Sequence, residues 1–264
     1  MLEIIIPTLG RIDKQKTLSN IPEKYKSLVT LVVQEHEYED MKAKYPDIKV
    51  WQLPSGTKGI AKTRKEIAYH WKGKRIWVMD DDLQFVKLDE QLKGHPPTSE
   101  DFYNCLIQIE SWMNDGYIHG GLQTHNTPPS EKAWNFNTRV YTNVFYSERL
   151  VPEDIDWGEE YELMPEDFYV NLQLLTTGHQ NVVFQHFRVR TSDTQSKGGC
   201  ESFRTLENHN RGQEILAAKF PRFVEVYEKE VTSGPWEGKK KNALKIQWKK
   251  AYESSQYNTL ESFF

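Results

Sequence analysis

Three consecutive carboxylates, Asp80, Asp81 and Asp82, directly follow the apolar run Arg75–Met79. The run predicts a β-strand, and alternate residues at a strand end point the same way, so Asp80 and Asp82 can face one site while Asp81 faces away. Adjacent negative charges repel one another unless a cation compensates them. Carboxylate oxygens at this spacing suit Mg²⁺ or Mn²⁺ bound together with substrate phosphates. The pattern predicts a divalent metal that carries a diphosphate; the alternative is a solvated acidic turn.

Lys62 and Arg64 lie near the start of a predicted helix, Ile60–Trp71, that precedes these carboxylates. Arg64 falls within the apolar stripe of that helix, where a charge needs a partner or must reach a polar site. Lys62 and Arg64 also lie near the helix N-terminus, where backbone N–H groups favour anions. We expect both residues to lie near an anion, although Arg64 could instead extend along the surface to solvent.

The elements that must position these residues alternate in type along the chain. Apolar runs at Met1–Pro7, Leu28–Gln34 and Ile48–Trp51 predict strands, and predicted helices separate them from one another and from Arg75–Met79. This β-α-β order predicts an α/β fold with a doubly wound, mostly parallel sheet. Ligands of such sheets collect beyond the carboxyl ends of the strands. The acidic run Asp80–Asp82 follows the carboxyl end of the predicted strand Arg75–Met79.

The second half of the chain is less regular. The predicted elements are a helix at Thr98–Asn114, strands at His119–Thr124 and Thr138–Tyr146, a helix from Pro165, a strand at Asn181–Val189 and a helix at Leu206–Lys219. We predict one domain over residues 1–230 and a C-terminal extension, rich in lysine and aromatic residues and helical in pattern, over residues 231–264.

Three segments together resemble the GT-A glycosyltransferases of the family-2-like kind: Ile6–Arg11 (IPTLGR), Gly59–Arg64 (GIAKTR) and Val78–Asp82 (VMDDD). The resemblance covers roughly the first hundred residues. It implies the GT-A fold, with a Rossmann-like nucleotide-binding half. It also implies sugar transfer from a nucleotide sugar, with a UDP-sugar favoured, and Mn²⁺ or Mg²⁺ as cofactor.

The same resemblance assigns roles to individual residues. Pro7, Thr8 and Arg11 would contact the nucleotide, and Arg64 would approach the base or the phosphates. Asp80 and Asp82 would hold the metal. Asp80, Asp81 and Lys62 would also contact the nucleotide sugar.

The segment Met164–Asp167 (MPED) resembles the ED motif of this family, whose acid begins a helix that faces the acceptor. It implies an inverting transfer in which Asp167, or in second place Glu166, deprotonates the acceptor hydroxyl. Acids in a first helical turn are also favoured by the helix dipole alone. The family often supplies a late histidine as a metal ligand, which implies His186, although most single histidines have no such role.

The polar loop Ser192–Cys200 (SDTQSKGGC), followed by Arg204, suits a lid over the diphosphate. Lys197 and Arg204 would then cover the charge of the leaving group; an ordinary surface loop is the alternative. The Lys197–Cys200 segment with Arg204, on a compact GT-A-like chain, resembles the TET-associated glycosyltransferases of bacteriophages. That resemblance implies a DNA acceptor, 5-hydroxymethylcytosine or a relative, flipped out of the duplex.

The C-terminal extension mixes lysines with tryptophans between Trp236 and Lys250, a composition that can contact phosphates and stack on bases. Two other interpretations stay open. The helical spacing of Leu244, Trp248 and Ala251 could dock the extension on the core, or the lysines could form a solvated basic face.

Composition narrows the possible partners. The 34 Lys and Arg against 38 Asp and Glu give a formal net charge of −4, so any contact with DNA must be local. No apolar run is long enough for a membrane span and no secretory leader opens the chain. Cys105 and Cys200 form neither a disulfide framework nor a metal-ligand spacing. We expect a cytoplasmic protein without a membrane partner, in the host-cell cytoplasm if it is viral.

Other functions compete with transfer to DNA. The acceptor could be a glycan, a protein or a small molecule. A GT-A-like nucleotidyltransferase would share the sheet and the metal carboxylates. It would normally carry a Gly-rich phosphate loop with a lysine after the first strand, whereas Pro7–Arg11 offers one glycine and one arginine. A binding module without catalytic activity is the remaining alternative.

Overall fold

The computed structural model describes residues 2–160, 165–191 and 205–261 of the chain. In the N-terminal half, the apolar runs form parallel strands joined by helices, as the sequence predicts. The strands are β1 (Glu3–Pro7), β2 (Val29–Val33), β3 (Lys49–Gln52) and β4 (Ile76–Met79). The helices are α1 (Lys16–Asn20), α2 (Tyr38–Lys44) and α3 (Ile60–His70), with short 3-10 turns at Glu23–Leu28 and Glu35–Glu37. These strands pair in the order β3-β2-β1-β4, all parallel.

The second half extends the same sheet with mixed strand directions. Its elements are β5 (Leu83–Leu88), β6 (Gly94–His95), α4 (Ser99–Asn114), β7 (His119–Thr124), β8 (Trp134–Phe136), β9 (Asn143–Tyr146), a 3-10 turn at Pro152–Asp154, α5 (Glu166–Thr176) and β10 (Asn181–Thr191). Strand β9 runs antiparallel to both β4 and β7, whereas β7 and β10 are parallel. The whole order is β3-β2-β1-β4-β9-β7-β10-β5-β6, and β8 pairs with β10. The strand predicted at 138–146 is confined to its last four residues, and β5, β6 and β8 were not predicted.

Helices cover both faces of the sheet, which confirms the doubly wound arrangement. Successive side chains of a strand point to opposite faces. Ile4 accordingly packs on the face that holds Phe102 of α4, and Ile5 packs on the opposite face against Ile67 of α3. Helix α4 begins with a capping box between Thr98 and Asp101, which fixes its first turn.

Strand β7 lies at a point of close packing. A Cβ atom on Gly120 would lie 2.3 Å from the Val182 carbonyl oxygen and 2.5 Å from the Phe145 ring. A Cβ atom on Gly121 would lie 2.6 Å from the Asn143 carbonyl oxygen. The two glycines therefore let β9 and β10 approach β7, and they fix the position of the preceding residue, His119.

The C-terminal part contains a β-hairpin that the sequence reasoning missed. Its elements are α6 (Leu206–Lys219), β11 (Val224–Glu230), β12 (Lys240–Ile246) and α7 (Trp248–Glu261). Leu244 was predicted to share a helix with Trp248, and this is wrong, because Leu244 pairs with Val226 in the hairpin and the helix begins at Trp248. The domain boundary predicted between residues 230 and 231 falls between the two strands of the hairpin.

These C-terminal elements pack on α5. Leu172 and Leu175 of α5 share a buried cluster with Leu216 of α6 and Ala251 of α7, and Trp248 packs against this cluster. The interpretation that Trp248 docks the extension on the core is therefore confirmed. Within the described ranges, the helices include none that is long and apolar enough to cross a membrane.

Candidate active site

The three aspartates lie where β4 ends, at the carboxyl edge of the sheet. The backbone of Asp80 continues the hydrogen bonding of β4, because its N–H group donates a hydrogen bond to the Thr142 carbonyl oxygen at 2.9 Å. Asp81 is buried and turns toward the end of β1. Its carboxylate accepts a hydrogen bond from Thr8 Oγ1 at 2.6 Å and pairs with the Arg11 guanidinium. Arg11 Nη1 also lies 3.5 Å from Asp82 Oδ2, so one guanidinium neutralises two of the three acids.

A buried carboxylate that the sequence reasoning missed lies beside Thr8. Glu37, in the turn after β2, accepts a hydrogen bond from the Gly10 N–H group at 2.7 Å. Its second oxygen is buried without a hydrogen-bond partner in the described part of the chain. The only sequence signal was an acid shortly after the strand next to β1.

The structure also places two of the predicted nucleotide contacts. Lys62 donates a long hydrogen bond, 3.4 Å, to the Gly56 carbonyl oxygen, and Pro7 is the last residue of β1.

Arg64 joins the acidic run to the first turn of α5. Only 7% of this residue is exposed. Its Nη2 lies 3.1 Å from Asp80 Oδ1, and its Nε lies 3.1 Å from Glu166 Oε1, an ion pair that is not aligned as a hydrogen bond. Burial opposes the charge of Arg64, but the attraction of Glu166, Asp80 and Asp167 outweighs it, so the pKa of Arg64 is raised. The structure therefore brings Arg64, Asp80, Glu166 and Asp167 together.

Two carboxyl groups in this cluster have strongly raised pKa values. Burial, together with repulsion from Asp82 and Glu166, raises the pKa of Asp80 to about 7 against the opposing effect of Arg64. Burial and the neighbouring Glu166 likewise raise the pKa of Asp167 to about 7. Such values are typical of sites where protons are exchanged near neutral pH.

Asp167 opens on a narrow cleft between β7, β9 and α5. The cleft is lined by Arg64, His119, Val140, Tyr141, Val144, Tyr146, Glu166, Asp167, Val170 and Asn171. Asp167 Oδ1 accepts a hydrogen bond from the Phe168 N–H group at 2.9 Å, which orients the carboxyl group at the start of the helix. A buried acid whose pKa is close to neutral can accept a proton from a group bound here.

The remaining predicted site residues lie elsewhere. His186 Nε2 is 2.8 Å from the Ser130 carbonyl oxygen, and the side chain lines a different cleft together with Lys87 and Glu131. It is not among the residues around Asp167, and its role as a metal ligand stays a prediction. Lys197 and Arg204 lie outside the described residues.

The fold is similar to the GT-A fold of solved structures. Staphylococcus aureus TarS, as a fragment of residues 1–349 in complex with UDP-GlcNAc, superposes with a TM-score of 0.52 at 12% sequence identity. The match covers 83% of this chain and 66% of the fragment, so the chain spans just under two thirds of the TarS fragment. A second solved structure, of a mycobacterial protein, matches with a TM-score of 0.50 at 9% identity over 93% of this chain and 84% of its own.

Sequence comparison specifies the family. The model of the TET-associated glycosyltransferase family matches residues 2–199. The beta-glucosyl-HMC-alpha-glucosyl-transferases of enterobacteria phages T6 and T2 are 31% and 30% identical over 233 residues, which are 84% of this chain and 82% of theirs. The chain belongs to the TET-associated glycosyltransferase family and is a glycosyltransferase.

We expect Arg64→Gln to destabilise the fold by about 3 kcal/mol at pH 8, because it removes a buried cation and leaves the partly buried acids Asp80 and Glu166 unpaired. The raised pKa values of Asp80 and Asp167 mean that protons can replace this cation when the pH falls below about 7. The loss should therefore shrink at pH 5.5. Urea denaturation at both pH values measures it.

The matched control for this prediction is Lys72→Gln, which breaks the exposed ion pair between Lys72 and Glu153. It should change stability little at either pH, because water screens exposed pairs. An equal loss for Arg64→Gln at pH 8 and pH 5.5 would contradict the electrostatic account of this cluster.

Proposed function

We propose that this enzyme transfers a hexose, with glucose the first candidate, from a UDP-sugar to 5-hydroxymethylcytosine in DNA or to a sugar that this base already carries. The observation that carries the proposal is the family match together with the cluster of Asp80, Arg64, Glu166 and Asp167 at one edge of the sheet. The names of the two phage relatives specify glucosyl transfer on HMC. A DNA acceptor would place the reaction in the cytoplasm of the cell that holds the DNA.

The nucleotide would bind between the ends of β1 and β2. Pro7, Thr8 and Glu37 border this space, and the second oxygen of Glu37 can accept a hydrogen bond from a base or ribose. Arg11 and Asp81 lie on its other side. We propose that Lys62 approaches the phosphates, and that Lys197 and Arg204, which lie outside the described residues, also contact them.

A divalent cation would be held by two carboxylates together with the substrate phosphates, because the described residues include no group of three or more acids, cysteines or histidines that could hold an ion. Asp80, Asp81, Asp82, Glu166 and Asp167 face only two guanidinium groups, those of Arg11 and Arg64, in the described part of the site. Such an acidic site repels a diphosphate unless a cation is added. Asp80 and Asp82, whose side chains are 35% and 19% exposed, would hold Mn²⁺ or Mg²⁺. His186 is not part of this proposal, because its neighbour Phe187 pairs with Lys87, whereas the acidic run lies at the other end of β5, before Leu83. The bound cation neutralises the leaving diphosphate.

Asp167 is proposed as the general base of an inverting transfer. It starts a helix whose N-terminal turn faces the cleft, and its raised pKa lets it take a proton from a hydroxyl near neutral pH. Glu166 is held by Arg64, so its oxygens are less available for proton transfer. We propose that Glu166 positions Arg64 and the sugar.

Aromatic side chains beside Asp167 support a base as part of the acceptor. The ring of Phe168 lies 6.2 Å from that of Tyr141 and 5.5 Å from that of Trp248. The Arg139 guanidinium lies 4.2 Å from the centre of the Tyr141 ring. Aromatic rings and planar guanidinium groups stack on unpaired bases. A base that is flipped out of the duplex could therefore lie on this surface with its hydroxymethyl group toward Asp167.

The function is tested by incubating the protein with Mn²⁺ or Mg²⁺, a panel of nucleotide sugars, and duplex DNA that contains cytosine, 5-hydroxymethylcytosine or glucosylated 5-hydroxymethylcytosine. We expect the mass of a modified nucleoside to rise by one hexose with UDP-glucose, and EDTA or Asp82→Ala to abolish this gain. No gain on any modified DNA with any donor would refute the acceptor. Transfer that persists in EDTA would refute the cation.

The two acids of the first turn of α5 should differ in their effects on turnover. Asp167→Asn should lower kcat by about 1,000-fold, since it removes the general base. Glu166→Gln should lower it less and should move the acidic limb of the kcat profile to lower pH, because Glu166 raises the pKa of Asp167. The profile from pH 5 to pH 9 measures both. The opposite ranking of the two variants would assign the base to Glu166.

Lys249 and Lys250, both exposed at the start of α7, are predicted to contact DNA phosphates. Neither forms an ion pair within the described residues, whereas Lys240 and Lys245 lie 3.1 and 3.6 Å from Glu228 and Glu225. Lys249→Gln with Lys250→Gln should lower the salt dependence of DNA affinity by about two counterions. Fluorescence anisotropy across a salt series measures this slope.

The double variant Lys240→Gln with Lys245→Gln removes the same formal charge and is the matched control. It should leave the slope unchanged, because those lysines are already neutralised by glutamates across the hairpin. Equal slopes for the two double variants would contradict the prediction that DNA phosphates contact Lys249 and Lys250 in preference to the lysines of the hairpin.

A further inference from the structure

The buried histidine of β7 is not used by the chemistry described so far. His119 is 1% exposed, and its imidazole lines the cleft beside Arg64 and Asp167. Its Nε2 lies 3.0 Å from Asn171 Oδ1 on α5. Asn171 follows Asp167 by one helical turn, so the two side chains lie on the same face of α5.

The hydrogen bonds around His119 fix which of its nitrogens carries the proton. The backbone N–H group of Thr138 can only donate, and it bonds Asn181 Oδ1 at 3.0 Å. The other end of that amide, Asn181 Nδ2, must therefore be the donor to Asn171 Oδ1 at 2.7 Å. Because Asn171 Oδ1 is an acceptor, His119 Nε2 must donate to it.

His119 Nδ1 is consequently a bare acceptor. Burial lowers the pKa of His119 to about 3, so the ring stays neutral and keeps this lone pair at any pH near neutrality. Nδ1 is buried and has no hydrogen-bond partner within the described part of the chain. A buried acceptor without a partner is costly, and such a group calls for a donor that a bound molecule can supply.

The surroundings restrict the chemistry of that donor. The lone pair of Nδ1 repels an anion, and Arg64, which pairs with Glu166 on the same cleft, already supplies a cation there. Val140, Val144 and Val170 form apolar walls, and the remaining space holds about one water-sized group. A single neutral hydroxyl group satisfies all three conditions.

We propose that His119 Nδ1 accepts a hydrogen bond from a non-reacting hydroxyl group of the hexose that lies beside Asp167, and thereby selects hexoses that carry this hydroxyl. The inference rests on the proposed function. The reacting hydroxyl gives its only proton to Asp167, so His119 must take a different one. The hexose belongs either to the nucleotide-sugar donor or to a base that is already glucosylated, and both present the same chemistry.

Two substitutions separate the roles of the two ring nitrogens. In His119→Gln, the amide nitrogen can keep the hydrogen bond to Asn171, while the acceptor at the place of Nδ1 is lost. In His119→Asn, the shorter amide can keep an oxygen near the place of Nδ1, while the bond to Asn171 is lost. Thermal unfolding of both variants reports the structural cost separately from selectivity.

The first measurement compares UDP-glucose with its 3-, 4- and 6-deoxy analogues, as calorimetric affinity with Mn²⁺ and as donor hydrolysis without DNA. We expect the wild-type protein to lose about 100-fold on one analogue, because a site built to bind a hydroxyl rejects its absence. His119→Gln should weaken binding and hydrolysis of UDP-glucose by a similar factor, and it should treat UDP-glucose and that deoxy analogue alike. His119→Asn should still prefer UDP-glucose to the analogue.

The second measurement fixes the donor and compares DNA containing 5-hydroxymethylcytosine with DNA whose base carries glucose or a deoxyglucose. If the hydroxyl belongs to the acceptor, removing it should raise the KM for DNA in the wild-type protein and not in His119→Gln, and the donor series should show no such difference. A wild-type protein that is indifferent to every deoxy position in both series, or variants that keep its selectivity, would overturn the proposal. The donor series needs no DNA, so failure of the DNA acceptor is distinguished from failure of this inference.

Discussion

A single buried guanidinium group, that of Arg64, lies between two sets of carboxylates that would otherwise repel each other. Asp80 comes from the end of β4, Glu166 and Asp167 come from the start of α5, and only the cation lets them share one cavity. The compensation is incomplete, which is why the pKa values of Asp80 and Asp167 remain raised. This excess negative charge is what the proposed cation would neutralise, and it is one reason why Asp167 is proposed as the base.

Two guanidinium groups, those of Arg11 and Arg64, pair with different aspartates at the carboxyl edge of the sheet. Arg11 holds Asp81 and Asp82 toward β1, where we propose that the nucleotide binds, and Arg64 holds Asp80 toward α5, where we propose that the acceptor binds. Helix α5 is in turn fixed from behind by α6 and α7, so the C-terminal elements support the position of Asp167. The polar network of His119, Asn171 and Asn181 fixes the same helix from the side of β7.

Much of this arrangement follows from the sequence alone. The N-terminal strands, the helix that carries Arg64, the acidic run after β4 and the acids that begin α5 were all predicted at close to their observed bounds. They are predictable because each depends on local properties: apolar runs form buried strands, helical stripes form helices, and acids favour helix starts. The family resemblance of these segments is confirmed by the match over residues 2–199.

Only the tertiary structure decided the rest. His119 carries no local signal, and Glu37 carries only its place shortly after β2, since their partners Asn171 and Gly10 lie 52 and 27 residues away and meet them through the sheet order. Leu244 and Ile246 fit either a helix or a strand, and pairing with β11 selected the strand. Gly120 is required because Phe145 and Val182 pack against it, which no spacing reveals. Contacts between distant segments depend on strand register and packing, and a short sequence pattern does not encode them.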